Sequence, residues 1–458
     1  MTTLIETLAG WAAGRPSFSA VARQRARDAI ADTLGCMIVG QTDFACLAAR
    51  RAFAGMLHEG GASLVVGGHA APASVAACIN GTASHALDYD DNFGPGITHA
   101  SAVLVPALLA VAQAGHACGR DLVDAYLIGL EAQALIGRGV NPVHYRAGWH
   151  ATSTVGCIGT AAGAAWLMGL DRDGIARALS VAASMAAGMK GQFGTPAKPL
   201  HAGLAARNAV EAAQFADAGM TGRLDILECA QGFLELFGGP EAPGWNGVKP
   251  GDPHSIESDG LLPKRHPCCG STHHAVDALL DMKAAHGFQP ADVASVHTLV
   301  GIANARNLSY DNPQDEMQAR FSMNYCAALA LTQDRLSLAD FTPAAVARHT
   351  RAGSPMARLL PLVTMRSHGA EEERAAAPAR LPHRITVHLH DGRSFVEERR
   401  HAKGSLHAPF DDADKQRKFE DCTRALAPGS AAALWQGLNR LDEMPDLNFL
   451  APAFAAVS

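Results

Sequence analysis

Apolar positions in the first 260 residues recur mainly at helical spacing. Ala20–Val39 places Val21, Ala26, Ile30, Leu34 and Ile38 close to one helix face. Ala161–Leu170, Ile175–Met189 and Leu204–Ala218 continue the pattern, and β-branched runs are scarce. The texture changes after Pro263. Val293–Val300 is short and β-branched, Leu359–Met365 contains Leu362-Val363-Thr364-Met365, and Ile385–Leu389 alternates. Asp391-Gly392 then separates that run from Ser394-Phe395-Val396. Such a pair between two alternating runs is a strong hairpin signal. Helical patterns over Thr272–Ala285 and Ser322–Leu331 separate the strands, and Gly369–Ala379 reads as an exposed loop. Helical patterning returns over Lys415–Leu426 and Ala431–Leu441. The expected fold is mainly α. A large all-helical domain covers 1–263, a smaller α+β domain covers 264–400, and C-terminal helices over 401–458 return to the first domain.

Two uncharged stretches, Ala100–Gly119 and Ala151–Leu170, have the length of a membrane span. Pro106, Gln113 and His116 interrupt the first, and small residues dominate the second. Both read as buried helices of a soluble protein, in which small side chains let helices approach closely. No membrane partner is expected. The amino terminus lacks a basic segment followed by an apolar one, so no secretory signal is expected. Ten cysteines without a C-x-x-C pair, mostly in apolar surroundings, fit a reducing cytoplasm.

Composition narrows the function. Hydrophobic residues at 48% exclude disorder as the main state. Lys plus Arg total 38 against 44 Asp plus Glu, a net charge of −6, so a nucleic-acid partner is not expected. The 21 histidines raise the question of metal binding.

Five stretches carry candidate chemistry. In His85–His99, Asp88, Asp90 and Asn92 begin like a calcium loop, but Phe93 and His99 stand where that loop needs Gly and Glu. The alternatives are a solvated acidic turn, or Asp88 brought beside His99 by Gly94-Pro95-Gly96 as an acid/base pair. In Gly148–Thr154, Thr152 or Ser153 is a natural N-cap, which leaves His150 just outside a helix start that favours anions. In Gly194–Gly203, Pro199 begins a helix and sets Lys198 at its positive end, a conflict that an anion would resolve. Lys264–His274 combines cations, Cys268-Cys269 and histidines, in a spacing that fits no standard zinc site. Arg320–Cys326 opens an apolar helix with Tyr325, either a hydrogen-bond donor to a ligand or a core residue. There is no P-loop, dinucleotide glycine fingerprint, H-E-x-x-H or G-x-S-x-G.

These stretches, in this order, resemble the MmgE/PrpD family, which includes 2-methylcitrate dehydratase, cis-aconitate decarboxylase and iminodisuccinate epimerase. The likeness also takes in Ala31-Asp32-Thr33-Leu34-Gly35-Cys36, Lys198-Pro199-Leu200-His201, Lys403-Gly404-Ser405 and Lys418-Phe419. It implies a helical domain built from both chain ends, an inserted α+β domain, an active site between them and a homodimer. It implies catalysis without a metal or organic cofactor. Carried over by position, Asp88, His99, His150 and Tyr325 would be catalytic, and Asn92, Lys198, Lys264 and Cys269 would bind substrate. The substrate class would be a small polycarboxylate. His99 or His150 would be the base that removes a proton next to a carboxylate. Relatives that decarboxylate cis-aconitate carry His where this chain has Cys269 and Thr where it has Asn92, and their Asp88–His99 loop is one residue shorter. The resemblance therefore points first to a hydro-lyase of the 2-methylcitrate dehydratase type. A dicarboxylate epimerase, a decarboxylase and a catalytically silent homologue are the alternatives.

Overall fold

Short polar side chains set several helix starts. Thr3, Ser19, Asp43 and Asp171 each accept a backbone N–H from the first turn that follows them. The computed structural model describes residues 2–59, 63–251, 253–376 and 381–454. They fall into two units. The first comprises Met1–Gln192, Pro196–Pro263 and Asp412–Ser458, and the second Phe193–Thr195 and Lys264–Asp411. The second thus runs on past the expected boundary at residue 400.

The first unit holds α1 (Leu4–Ala13), α2 (Ala20–Gly40), α3 (Phe44–Ala52), α4 (Ala73–His85), α5 (Ala100–Ala114) and α6 (Gly119–Val140). It continues with α7 (Val143–Ala147), α8 (Ala151–Leu167), α9 (Arg172–Met185) and α10 (Ala197–Asp217). Helices Asp412–Thr423 and Pro428–Asn439 come back from the far end of the chain and pack on α2. α8 starts at Ala151, within two residues of the expected cap at Thr152 or Ser153, and α10 starts at Ala197, two residues before the expected Pro199. Every residue of α8 from Ala151 to Ala165 is buried, so no polar face marks its register in the sequence. Small residues make this possible. A Cβ on Gly203 of α10 would overlap the Cys78 carbonyl oxygen and the Thr82 hydroxyl of α4, and one on Gly81 would lie 2.9 Å from the Gly203 Cα. α4 and α10 therefore cross in near backbone contact.

Two antiparallel ribbons interrupt the helices: β1 (Ser63–Val65) with β2 (His69–Ala71), and β3 (Asn92–Phe93) with β4 (Leu261–Leu262). Among the described residues, no helix is long and apolar enough to cross a membrane.

The second unit carries a four-stranded sheet in the order β6-β5-β7-β8, from β5 (Val293–Val300), β6 (Val363–Ser367), β7 (His383–Leu389) and β8 (Ser394–Arg399). β5 runs parallel to β6 and antiparallel to β7, in a register that pairs Val296 with Val363 and Val387. The expected hairpin joins β7 to β8, and Gly392 takes the positive φ of 89° that the turn requires. Ile385, Val387 and Leu389 face the core with Val293, Val296 and Val300. Helices Gly270–His286 and Met323–Thr332 pack on this sheet. The segment expected as a loop over Gly369–Ala379 instead forms an α-helix at Ala370–Ala376, while residues 377–379 lie outside the described residues. Glu371, Glu372 and Glu373 fill its first turn, where carboxylates offset the exposed N–H groups.

Candidate active site

α4 ends at His85, and the chain then turns through three buried carboxylates, Asp88, Asp90 and Asp91. Asp88 sits at φ 50°, in the left-handed region that Asp tolerates better than most side chains. Phe93 and Thr98 exchange backbone hydrogen bonds at 2.7 and 3.2 Å, so Gly94-Pro95-Gly96 folds the chain back on itself. That return brings His99 to the N-cap of α5. Its backbone N–H donates to the Thr152 hydroxyl at 3.0 Å. Its Nδ1 lies 2.9 Å from the Asp91 carbonyl oxygen and 3.2 Å from Asp90 Oδ2. Asp90 also accepts from His85 Nδ1, at 3.0 and 2.9 Å to its two oxygens. The His85 and His99 rings stand 4.4 Å apart.

The opposite wall comes from α8 and α10. His150, rather than Thr152 or Ser153, is the N-cap of α8, and its backbone N–H donates to the Gly188 carbonyl at 3.0 Å. Its Nδ1 lies 3.1 Å from Nδ1 of His201 on α10, so one of the two carries the shared hydrogen. Lys198, in the first turn of α10, pairs with Asp88 in a short contact, and both are buried. The carboxylate that offsets an ammonium at a helix N-terminus is thus supplied by the protein itself.

Burial sets the charge states. It lowers His85 to about 3, aided by Lys198 and opposed by Asp90. Burial drives His150 well below its ordinary value, with His85 and Lys198 adding to the effect, and lowers His201 in the same way. These three imidazoles are neutral at neutral pH, gathered around one buried ion pair. Asp91 rises to about 7, mainly through burial, although Ser101 donates to it through its hydroxyl and its N–H. Behind the turn, the buried Lys418 Nζ lies 2.7 Å from Asp32 and donates to the Tyr89 carbonyl at 2.8 Å. Two sequence stretches from opposite chain ends thereby meet beneath Asp88.

His85, Asp88, Asp90 and His99 each offer a ligand atom within 4.8 Å of the others, a donor set of the type that takes a divalent cation. Lys198 already supplies a cation to Asp88, and Asp90 already receives both imidazole Nδ1 atoms. The charges of the cluster are met from within the protein.

Of the expected residues, Asp88, His99, His150 and Lys198 are brought together in the first unit. Asn92 lies nearby in sequence, on β3 opposite Leu262. Lys264, Cys269 and Tyr325 belong to the second unit. There Lys264 is buried, and Cys269 is the N-cap residue of Gly270–His286, donating its N–H to the Arg320 carbonyl at 2.9 Å. The Tyr325 hydroxyl donates to the Asp340 carbonyl at 2.7 Å and lies 2.9 Å from His349 Nδ1. The sequence offered Asp90 only as part of a calcium-loop pattern, and it gave His85 no role. The signal for their pairing is a five-residue spacing across a helix end.

Residues 6–246 match the family model of the MmgE/PrpD N-terminal domain, and residues 266–441 that of the MmgE/PrpD C-terminal domain. The chain is similar to cis-aconitate decarboxylase of Homo sapiens, 26% identical over 454 residues, covering 93% of this chain and 89% of the relative. The Mus musculus cis-aconitate decarboxylase is 26% identical over 399 residues, covering 83% and 78%. A cis-aconitate decarboxylase-like protein of Aspergillus oryzae is 28% identical over 273 residues, covering 56% of each chain.

Proposed function

This chain belongs to the MmgE/PrpD family, and on that premise we propose that it is a cofactor-independent lyase that dehydrates a small di- or tricarboxylate of the 2-methylcitrate type. One observation carries the reading: a buried Lys198–Asp88 pair ringed by His85, His99, His150 and His201. A substrate carboxylate shares the Lys198 ammonium, which has three donors, with Asp88. A histidine takes the proton from the carbon next to that carboxylate. The electron pair left behind delocalises into the carboxylate, where the ammonium stabilises the growing charge. It then forms the carbon–carbon double bond as the β-hydroxyl departs with a proton from a second acid, giving alkene and water. By the same motifs Asn92, Lys264 and Cys269 bind substrate, and Tyr325 is a proton donor. For that last role, Tyr325 must release the Asp340 carbonyl.

The relatives named as cis-aconitate decarboxylases support a second reading, release of carbon dioxide from an unsaturated tricarboxylate. Cys269 and Asn92, at positions where such enzymes carry His and Thr, favour dehydration over it. Epimerisation of a dicarboxylate shares the first proton transfer and ends without elimination. The protein acts as a cytoplasmic homodimer. All ten cysteines are free thiols, which suits a reducing compartment. The neighbouring helices α3 and α10 expose Phe44, Leu47, Leu204 and Phe215, apolar side chains that a second copy would cover.

A thermal-shift screen against citrate-class acids tests the reading. A ligand that binds the folded state raises the melting temperature in step with RT ln(1 + [L]/Kd), and Lys198→Ala abolishes that rise. If no di- or tricarboxylate moves the transition, the substrate class is wrong.

A further inference from the structure

Either His99 or His150 can be the base under the proposed function, and their surroundings differ. His99 Nδ1 faces two acceptors, the Asp91 carbonyl at 2.9 Å and the Asp90 carboxylate at 3.2 Å. That nitrogen therefore carries the hydrogen, and Nε2 is the one able to take up a proton. The Thr152 hydroxyl fixes the backbone of the same residue. His150 instead turns Nδ1 to the Nδ1 of His201, an imidazole with no net charge to stabilise a proton. Desolvation and the nearby Lys198 ammonium further weaken it as a base.

We propose that His99 is the base and that Asp90 is its positioning residue, with the Asp91 carbonyl fixing the tautomer and the buried Asp90 carboxylate stabilising the imidazolium that forms. His85 holds Asp90 from the other side. It donates Nδ1–H to both carboxylate oxygens at 2.9 and 3.0 Å, and its ring lies 4.4 Å from that of His99, tilted by 55°. Buried carboxylates usually need such partners, and two imidazole donors anchor this one. The proton moves from the substrate carbon to Nε2, and Nδ1 keeps its own hydrogen throughout. Asp90 touches no substrate atom. Its effect is confined to the orientation and charge stabilisation of His99.

The inference rests on the lyase reading, so the test separates the two. The first measurement is 15N-edited NMR of the wild-type protein labelled in histidine. The expected result is a His99 Nδ1–H resonance shifted to low field by its carboxylate partner, with Nε2 in the unprotonated form. A hydrogen on Nε2 instead of Nδ1 would overturn the assignment, and this result needs no variant to fold. The second measurement is steady-state kinetics of Asp90→Asn on whichever citrate-class acid is turned over. The variant removes the charge and keeps the shape. The expectation is a kcat reduced on the order of 10²-fold with KM nearly unchanged, because the charge matters most once the imidazolium forms. If Asp90→Asn keeps its kcat while His99→Gln is inactive, the lyase reading stands and the positioning role fails. If His99→Gln keeps its kcat, the base itself is misassigned.

Discussion

Lys198 and Asp88 are both buried, and neither tolerates the loss of the other. Lys198→Ala leaves a carboxylate without its ammonium, which costs about 3–5 kcal/mol for a pair this buried. Its melting temperature should fall in calorimetry even without substrate, and Lys198→Ala/Asp88→Asn should recover part of the loss without recovering activity. His144 gives a separate, pH-dependent prediction. Its Nε2 meets the Thr154 hydroxyl at 2.7 Å and its Nδ1 meets the Phe237 carbonyl at 3.0 Å. Burial lowers it to about 4, against an upward pull from that carbonyl. The folded protein therefore holds the neutral ring, and the stabilisation is present above the unfolded value near 6.5. It is lost as pH falls towards 4, by up to about 3 kcal/mol. Denaturant melts of His144→Gln should show a smaller loss over that window than wild type; an equal loss would exclude His144 as a source. At this scale the sequence set His150 and Lys198 at helix starts and Asp88 and His99 on either side of the Gly94-Pro95-Gly96 turn, and the structure brings the four together. The role of His85 was not legible, because an imidazole at the last position of a buried helix has the same sequence signature as any core residue, and Asp90 stood out only as part of a calcium-loop pattern.

Helix contacts decide whether those side chains meet. α4 presents the turn that bears Asp88, and α10 presents Lys198, so their crossing sets the ion pair. Gly203→Ala forces the α4–α10 contact apart at the Cys78 carbonyl. We expect a loss of about 1–3 kcal/mol with a lower kcat, measured by thermal melts and turnover together. The helix Asp412–Thr423 acts on the same turn from behind. Lys418→Met removes the ammonium from Asp32 and from the Tyr89 carbonyl. Faster amide hydrogen exchange over residues 86–93 is the expected result, and unchanged exchange there would show that the turn holds itself. Element types were largely readable from periodicity, including the β7–β8 hairpin. The start of α8 was readable to within two residues from its small polar residues, although Ala151–Ala165 is buried throughout and no polar face marks the first turn. The acidic segment over 370–376 misled, since its charges cap a helix yet look like a solvated loop.

The low net charge acquires a meaning at the scale of the whole molecule. The first unit spends its length on closely packed small-residue helices, and its buried polar groups gather where α4, α5, α8 and α10 bring their ends together. The near-neutral net charge does not oppose an anionic substrate, because the relevant cation is local and buried. Sedimentation equilibrium should give twice the 47.8 kDa chain mass, and Phe44→Glu with Phe215→Glu should yield monomer. The central claim is proton abstraction next to a carboxylate with no added cofactor. Proton NMR in deuterium oxide tests it most directly, with chelator-treated enzyme and a panel of hydroxy di- and tricarboxylates including 2-methylcitrate. The account predicts loss of the signal from the hydrogen next to the carboxylate, together with new alkene signals, in one member of the panel. Folded enzyme that neither exchanges nor eliminates from any member would contradict it.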